Sequence, residues 1–200
     1  LLTMVLLHNW KTTQLDYVLA FPQAPVEKEL YMTIPKGFDV TNSKQGEYVL
    51  KLHKNVYGQK QAGRVWNKYL VDKLVNQLHF KQSKVDECVF YRGSTIYILY
   101  TDDSILAGPH QQEIDQILID LKKAKLDLTI EGDLQDFLGV NIDRYKDGRI
   151  HLSQPQLIDQ ILTDLRLTND NIKTKDTPAP SSKILLRHTN SEAFDNSFHY

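Results

Sequence analysis

The clearest alternation in the chain is the apolar run Thr95-Ile96-Tyr97-Ile98-Leu99, which meets Tyr100-Thr101-Asp102-Asp103 and resumes as Ser104-Ile105-Leu106-Ala107-Gly108. Period-two runs broken by acidic turn residues predict two strands joined by an acidic hairpin turn. Elsewhere the spacing is helical. Trp66, Tyr69, Leu70, Lys73, Leu74, Gln77 and Leu78 share one stripe, diluted by Lys73 and Gln77, and predict a helix over 61–79 with a basic outer face. After the acidic hairpin, a second amphipathic helix turns Ile114, Ile117, Leu118 and Leu121 inward and Glu113, Asp115, Asp120 and Lys122 outward. A third begins at Ser153, where Ser-Gln-Pro-Gln supplies a capping hydroxyl ahead of Leu157, Ile158, Ile161, Leu162 and Leu165. Between these helices, 137–145 and 149–152 flank the hairpin turn Lys146-Asp147-Gly148.

The Leu-rich opening, 1–7, reads as a buried helix. Residues 21–58 contain Pro22, Pro25 and Pro35 with the short alternating pieces Leu30-Tyr31-Met32-Thr33-Ile34 and Tyr48-Val49-Leu50-Lys51-Leu52, a loop-rich excursion away from the main sheet. From Thr168 the periodicity fades into Asn, Asp, Thr, Pro and Ser, which reads as an exposed linker. The element order suits an α+β domain with helices on one face of an antiparallel sheet.

Composition adds bounds. Two hundred residues, 41% of them hydrophobic and 24% charged, make an ordinary globular chain of one large domain or a domain with a partial neighbour. The apolar opening is far shorter than the ~18 residues of a spanning helix, so no membrane partner is expected. The start on Leu1 suggests excision from a longer polypeptide. The lone Cys88 excludes an internal disulfide and is expected to be a buried structural thiol in a reducing compartment. Net charge is −1, but 44–84 holds nine Lys/Arg against two acids and 86–170 eight against sixteen. One segment could track a polyanion while the other gathers cations, or both could be solvated faces.

The acidic turn is the strongest chemical signal. Two unit charges about 4 Å apart repel by roughly 4 kcal/mol at an effective dielectric near 20, so an aspartate pair held against a sheet calls for a cation or full solvation. Aspartate is also an ordinary turn residue. Two-metal phosphoryl transfer needs carboxylates from separate strands, because two cations about 4 Å apart clamp the attacking and leaving oxygens. Asp16, closing Thr12-Thr13-Gln14-Leu15-Asp16, is the candidate for the other side, although a lone Asp there also serves as a cap or turn. Zinc is not expected: the seven histidines show no paired spacing and there is one Cys.

Six blocks then appear in order: Gln14-Leu15-Asp16 with Ala20-Phe21; Glu29-Leu30-Tyr31-Met32 with Pro35-Lys36-Gly37-Phe38; Tyr57-Gly58-Gln59-Lys60-Gln61-Ala62 with Trp66; Tyr100-Thr101-Asp102-Asp103; Phe137-Leu138-Gly139; and Leu152-Ser153-Gln154. Together they resemble the reverse transcriptase domain of copia-type LTR retrotransposon Gag-Pol polyproteins, over nearly all of 1–170. The resemblance implies an RNA-directed DNA polymerase of right-hand fold. Palm would span 1–21 and 60–152, part of the fingers 22–59, the start of the thumb 153–170, and a linker toward a connection and RNase H region 171–200.

The resemblance also implies roles. Asp16 and Asp102 would be the principal ligands of two Mg2+ ions (Mn2+ as substitute), with Asp103 assisting and the Tyr17 carbonyl completing the nucleotide-bound site. Phe21 would exclude a ribose 2′-hydroxyl, although without its surrounding block it reads sooner as a core aromatic. Tyr57 and Gly58 would line the nucleotide pocket, where glycine permits close backbone approach. Lys60 and Arg64 would contact the template, or simply be solvated, and Tyr100 would lie beside the primer terminus. The hairpin over 137–152 would grip the primer end. Implied partners are an RNA or DNA template with primer, deoxynucleoside triphosphates and the rest of the Pol polyprotein, in cytoplasmic virus-like particles.

Three departures stand out. Thr101 replaces a small or flexible apolar residue, Gly63 stands where the family often has proline, and the chain starts just before the first catalytic Asp, without the upstream fingers segment. A catalytically silent remnant that only binds nucleic acid is the alternative from the binding class. A two-metal nuclease would use the same carboxylates but explains neither Phe21 nor the ordered blocks.

Overall fold

A computed structural model of the chain describes residues 1–38 and 48–167. Helix α1 (Leu2–His8) and strand β1 (Lys11–Tyr17) lead through the short helix α2 (Ala20–Gln23) into the hairpin of β2 (Pro25–Thr33) and β3 (Val49–Lys54). Helix α3 (Ala62–Asp72) continues as a π-helical turn over Lys73–Gln77 and is followed by β4 (Lys81–Gln82), β5 (Val89–Arg92), β6 (Thr95–Tyr100) and β7 (Asp103–Gly108). Next come α4 (Gln111–Lys123), β8 (Leu128–Gly132), β9 (Asp136–Phe137), β10 (Val140–Arg144) and β11 (Ile150–Ser153). A second compact unit begins at Pro155; its described part contains helix α5 (Pro155–Asp164). The linker expected from Thr168 lies outside the described residues, as do 39–47 of the excursion and the first residues of the basic segment.

The main sheet has six strands in the order β4-β5-β6-β7-β1-β8, every neighbouring pair antiparallel. Residues alternate across its faces. Leu15 and Tyr17 of β1, Tyr97 and Leu99 of β6, and Leu106 of β7 point to one side, where Trp66, Leu70 and Leu74 of the α3 segment and Ile114, Ile117 and Leu121 of α4 complete the core. Each fully buried aliphatic or aromatic chain contributes about 1.5–3 kcal/mol. The opposite face carries a smaller cluster in which Ile105 meets Leu134 and Ile142, with Ile98, Phe137 and Ile150 around it. That cluster joins the three-stranded sheet β11-β10-β9 to the main sheet. The expected excursion is a separate two-stranded sheet, β2-β3.

The α+β layering follows the sequence pattern, and four local expectations need correction. Only Val5 of α1 is buried and Leu7 is 76% exposed, so the opening helix is not a buried one. Cys88 is exposed rather than a core thiol, because it precedes β5 in a turn whose amide donates to the Asp86 carboxylate. Lys73 does not dilute its stripe: it is buried, its Nζ donates to the Ala124 carbonyl at 2.5 Å at the C-terminus of α4, and it lies over the Tyr69 ring. A helix C-terminus favours such a cation. Ser153 does not open the third helix but closes β11 opposite Asn141, and α5 starts at Pro155, where proline's fixed φ suits a first turn.

Glycine at 108 is dictated by packing. A Cβ there would sit 2.9 Å from the Thr95 hydroxyl and 3.2 Å from its Cα, against a β-branched residue that is itself buried. Gly108→Ala is therefore expected to cost about 1–3 kcal/mol, as overpacking does, in urea unfolding; an unchanged midpoint would show that β6 and β7 can move apart freely.

Candidate catalytic site

Strand register brings the acidic residues together. Tyr100 pairs with Asp103 across β6 and β7, Asp103 pairs with Asp16 across β7 and β1, and Asp16 pairs with Thr129 across β1 and β8. Directly opposed residues share a face, so Tyr100, Asp103, Asp16 and Thr129 form one row across four strands, on the face opposite the helices. Thr101 and Asp102 make the two-residue turn. Asp16 and Asp102 lie 86 positions apart in the chain, and nothing local hints at this convergence.

The turn is strained and tied down. Thr101 has φ 57, a left-handed conformation that is an outlier for a β-branched residue and costs about 1–3 kcal/mol. The Trp66 indole N–H donates to the Thr101 carbonyl at 2.6 Å, and the Tyr17 amide donates to the Asp102 carbonyl at 3.0 Å. Behind the row, the buried Tyr17 and Tyr97 hydroxyls lie 2.8 Å apart, and Tyr97 donates to Ser104 Oγ at 2.8 Å. Burial pushes the Tyr97 phenol up to about 12, against the opposing pull of its hydrogen bonds to Ser104 and Tyr17.

Placed this close, the carboxyls feel one another's charge. Partial burial and then the Asp102 charge raise the Asp16 carboxyl above its ordinary value. Asp103 is raised by burial first, then by Asp102, Asp16, Glu131 and Asp136. Glu131 and Asp136, on β8 and β9, thus extend the acidic field beyond the residues singled out in the sequence. Hard carboxylate oxygens that repel one another are the donor chemistry of Mg2+ or Mn2+, and in that respect the residues fit such ions. Among the described residues, however, no three His, Cys, Asp or Glu side chains are gathered into a ligating cluster. The fit lies in donor type and mutual repulsion, not in a closed cage.

Phe21 and Tyr57 also meet. Leu19, at φ 47, turns the chain into α2, and the Phe21 ring stacks on the exposed Tyr57 with centroids 4.7 Å apart. Gly58 has φ 89 with open space where a Cβ would stand, so backbone conformation rather than crowding calls for glycine. Two residues missed in the sequence hold this region. The Asn55 amide and Nδ2 both donate to the Ala24 carbonyl, and Nδ2 also reaches Pro25. Gln23 donates to the Val18 and Asp127 carbonyls at 2.7 Å and accepts from the Asp127 amide. Apart from the Gln23 contact to Val18, these bonds join segments distant in the chain, and periodicity carries no trace of them.

Of the expected template contacts, Lys60 is exposed and Arg64 is engaged elsewhere. Arg64 pairs with Glu27 at 2.5 Å, with Lys68 at 3.5 Å on the same carboxylate. Arg64, before anything else, holds the Glu27 carboxyl below its usual range. No described helix is long and apolar enough to cross a membrane.

A family model described as reverse transcriptase (RNA-dependent DNA polymerase) matches residues 1–179. Over 171 residues the chain is 34% identical to a retrovirus-related Pol polyprotein from transposon TNT 1-94 of Nicotiana tabacum, covering 82% of the chain and 12% of that protein. It is 34% identical over 183 residues to the retrovirus-related Pol polyprotein from transposon RE1 of Arabidopsis thaliana, covering 89% of the chain and 12% of that protein. A putative transposon Ty5-1 protein of Saccharomyces cerevisiae is 28% identical over 187 residues, with coverage of 90% and 58%. The chain thus spans a small part of the plant polyproteins. No solved structure gives a significant match.

The raised carboxyls set a pH dependence. A pKa raised on folding means that the folded state holds the proton more tightly, so metal-free stability falls as pH rises from about 4 through the raised values and stays lower above them. Asp103→Asn removes one of the charges. Its urea midpoint, with chelator present, is expected to exceed the wild-type midpoint near pH 7 and to match it near pH 3. A wild-type midpoint at or above the variant's near neutrality would show that the repulsion is fully solvated.

Proposed function

This chain belongs to the reverse transcriptase (RNA-dependent DNA polymerase) family of copia-type retrotransposon Pol polyproteins, and from that premise we propose that it carries the polymerising centre of such an enzyme. The observation that supports this most is the row in which Asp16 and Asp103 oppose each other beside the Asp102 turn. In the reaction, a primer 3′-hydroxyl attacks the α-phosphate of a deoxynucleotide paired to an RNA or DNA template, and pyrophosphate leaves. Asp16 and Asp102, assisted by Asp103 and the Tyr17 carbonyl, would hold the cations. Two Mg2+ or Mn2+ ions, when bound, neutralise charge at the attacking and leaving oxygens.

The rest is positioning, which can supply several orders of magnitude in rate. Phe21, backed by Tyr57, presses on the sugar of the incoming nucleotide and leaves no room for a 2′-hydroxyl. Tyr57 and Gly58 line that pocket, Tyr100 flanks the primer terminus, and Lys60 faces the template. Arg64 takes a template phosphate only by releasing Glu27. In this reading 1–21 and 60–152 are palm, 22–59 belong to the fingers, 153–170 begin the thumb and 171–200 lead to further polyprotein segments. The setting is a cytoplasmic virus-like particle.

Because the chain spans a small part of its plant relatives, the test grafts it into the matching part of the tobacco transposon Pol polyprotein. Asp102→Asn is expected to abolish Mg2+-dependent primer extension while leaving primer–template affinity within about twofold, since charge at the reacting phosphate, not duplex binding, is lost. Extension near the parent rate would refute the metal assignment, and an inactive parent graft would favour a silent, binding-only remnant.

Phe21→Val in the same graft is expected to raise the ratio of ribonucleotide to deoxyribonucleotide incorporation by about tenfold or more, because removing bulk relieves a clash rather than a contact. An unchanged ratio in an active variant would return Phe21 to a purely packing role.

A further inference from the structure

One turn of α3 touches both halves of the site. Gly63 lies against the Phe21 ring, with its Cβ position 4.0 Å from Phe21 Cζ, and Trp66, three residues on, donates its indole N–H to the Thr101 carbonyl at 2.6 Å. Trp66 is 1% exposed, and its ring meets Tyr17 edge-on with centroids 5.2 Å apart. Tyr17 in turn donates its amide to the Asp102 carbonyl. Both carbonyls of the two-residue turn are therefore taken by groups from outside the hairpin, and the two donors pack on each other. A left-handed threonine persists only where its surroundings over-determine it, and these two bonds are the surroundings.

Resting on the reading of the acidic turn as a polymerising centre, we infer that Trp66 is a positioning residue: its indole N–H, by holding the Thr101 carbonyl, fixes the turn so that Asp102 stays beside Asp16 and Asp103. The hydrophobic stripe accounts for the ring, but not for the N–H. An outer partner that orients a ligating group typically changes metal affinity by about 10–100-fold when removed. Because α3 also abuts Phe21, the same helix turn sets the acidic turn and the sugar-facing ring in one frame.

The test uses the 200-residue chain with Trp10→Phe, which leaves Trp66 as its only tryptophan. Three forms are compared at position 66: tryptophan, 5-fluorotryptophan, which keeps the N–H, and benzothienylalanine, which keeps the bicyclic shape with sulfur in place of the N–H. The expected result is faster hydrogen exchange of the Tyr17 amide and weaker Mn2+ binding, each by about tenfold, in the benzothienyl form alone. Exchange at the Phe90 and Leu106 amides and the urea midpoint should stay near those of the tryptophan form. Unchanged Tyr17 exchange would overturn the inference, as would a loosened turn with unaltered Mn2+ affinity or equal acceleration of all core amides. Asp102→Asn is measured alongside. If it binds Mn2+ as well as its parent does, or if the parent binds none, the polymerase reading has failed at its metal, and Tyr17 exchange alone then decides whether Trp66 fixes the turn.

Discussion

Two carboxylates that repel each other are held opposite one another by a backbone ladder, and most of the molecule's organisation answers that one conflict. Asp16 and Asp103 sit at the last rung between β1 and β7, where the register leaves no freedom to separate them without breaking the pairing. A one-residue slip would turn every side chain of the strand to the wrong face. Such a slip is opposed by Leu15 and Tyr17, which alternate with Asp16 and are buried on the helix-covered side. The core therefore fixes the site by holding the neighbours of its acids rather than the acids themselves.

Polar groups at the back of the sheet refine what the core begins. The buried Tyr17, Tyr97 and Ser104 hydroxyls join β1, β6 and β7 in one hydrogen-bonded chain. Within a low-dielectric interior such bonds are strong, and a missing partner is costly. The turn beyond them is then completed from α3 and β1, so the strain at Thr101 is offset by donors that the hairpin cannot supply.

The two-stranded excursion is attached by a different logic. Its β2 carries Glu27, which Arg64 and Lys68 of α3 share, and these exposed ion pairs contribute little energy. Asn55 contributes more, since it is fully buried and binds two carbonyls at the exit of α2. Strong ties thus lie next to Phe21 and Tyr57, and weak ones along the outer strand.

Much of this was legible in the chain itself. The β6–β7 hairpin, the helices and the separate excursion follow from period-two and helical spacing, and the ordered blocks single out Asp16 and Asp103, which oppose each other, and Phe21 and Tyr57, whose rings meet. Local pattern carries such information because alternation depends only on neighbours. It could not tell that Lys73 would find the Ala124 carbonyl, that Arg64 would be taken by Glu27, or that Cys88 would face solvent. Each depends on a partner or a surface brought from far along the chain. Which residues carry charge was determined by the sequence. That Asp103 stands opposite Asp16, and that Trp66 reaches the Thr101 carbonyl, was decided only by tertiary structure, because strand register and helix packing place groups by the shape of the shared core.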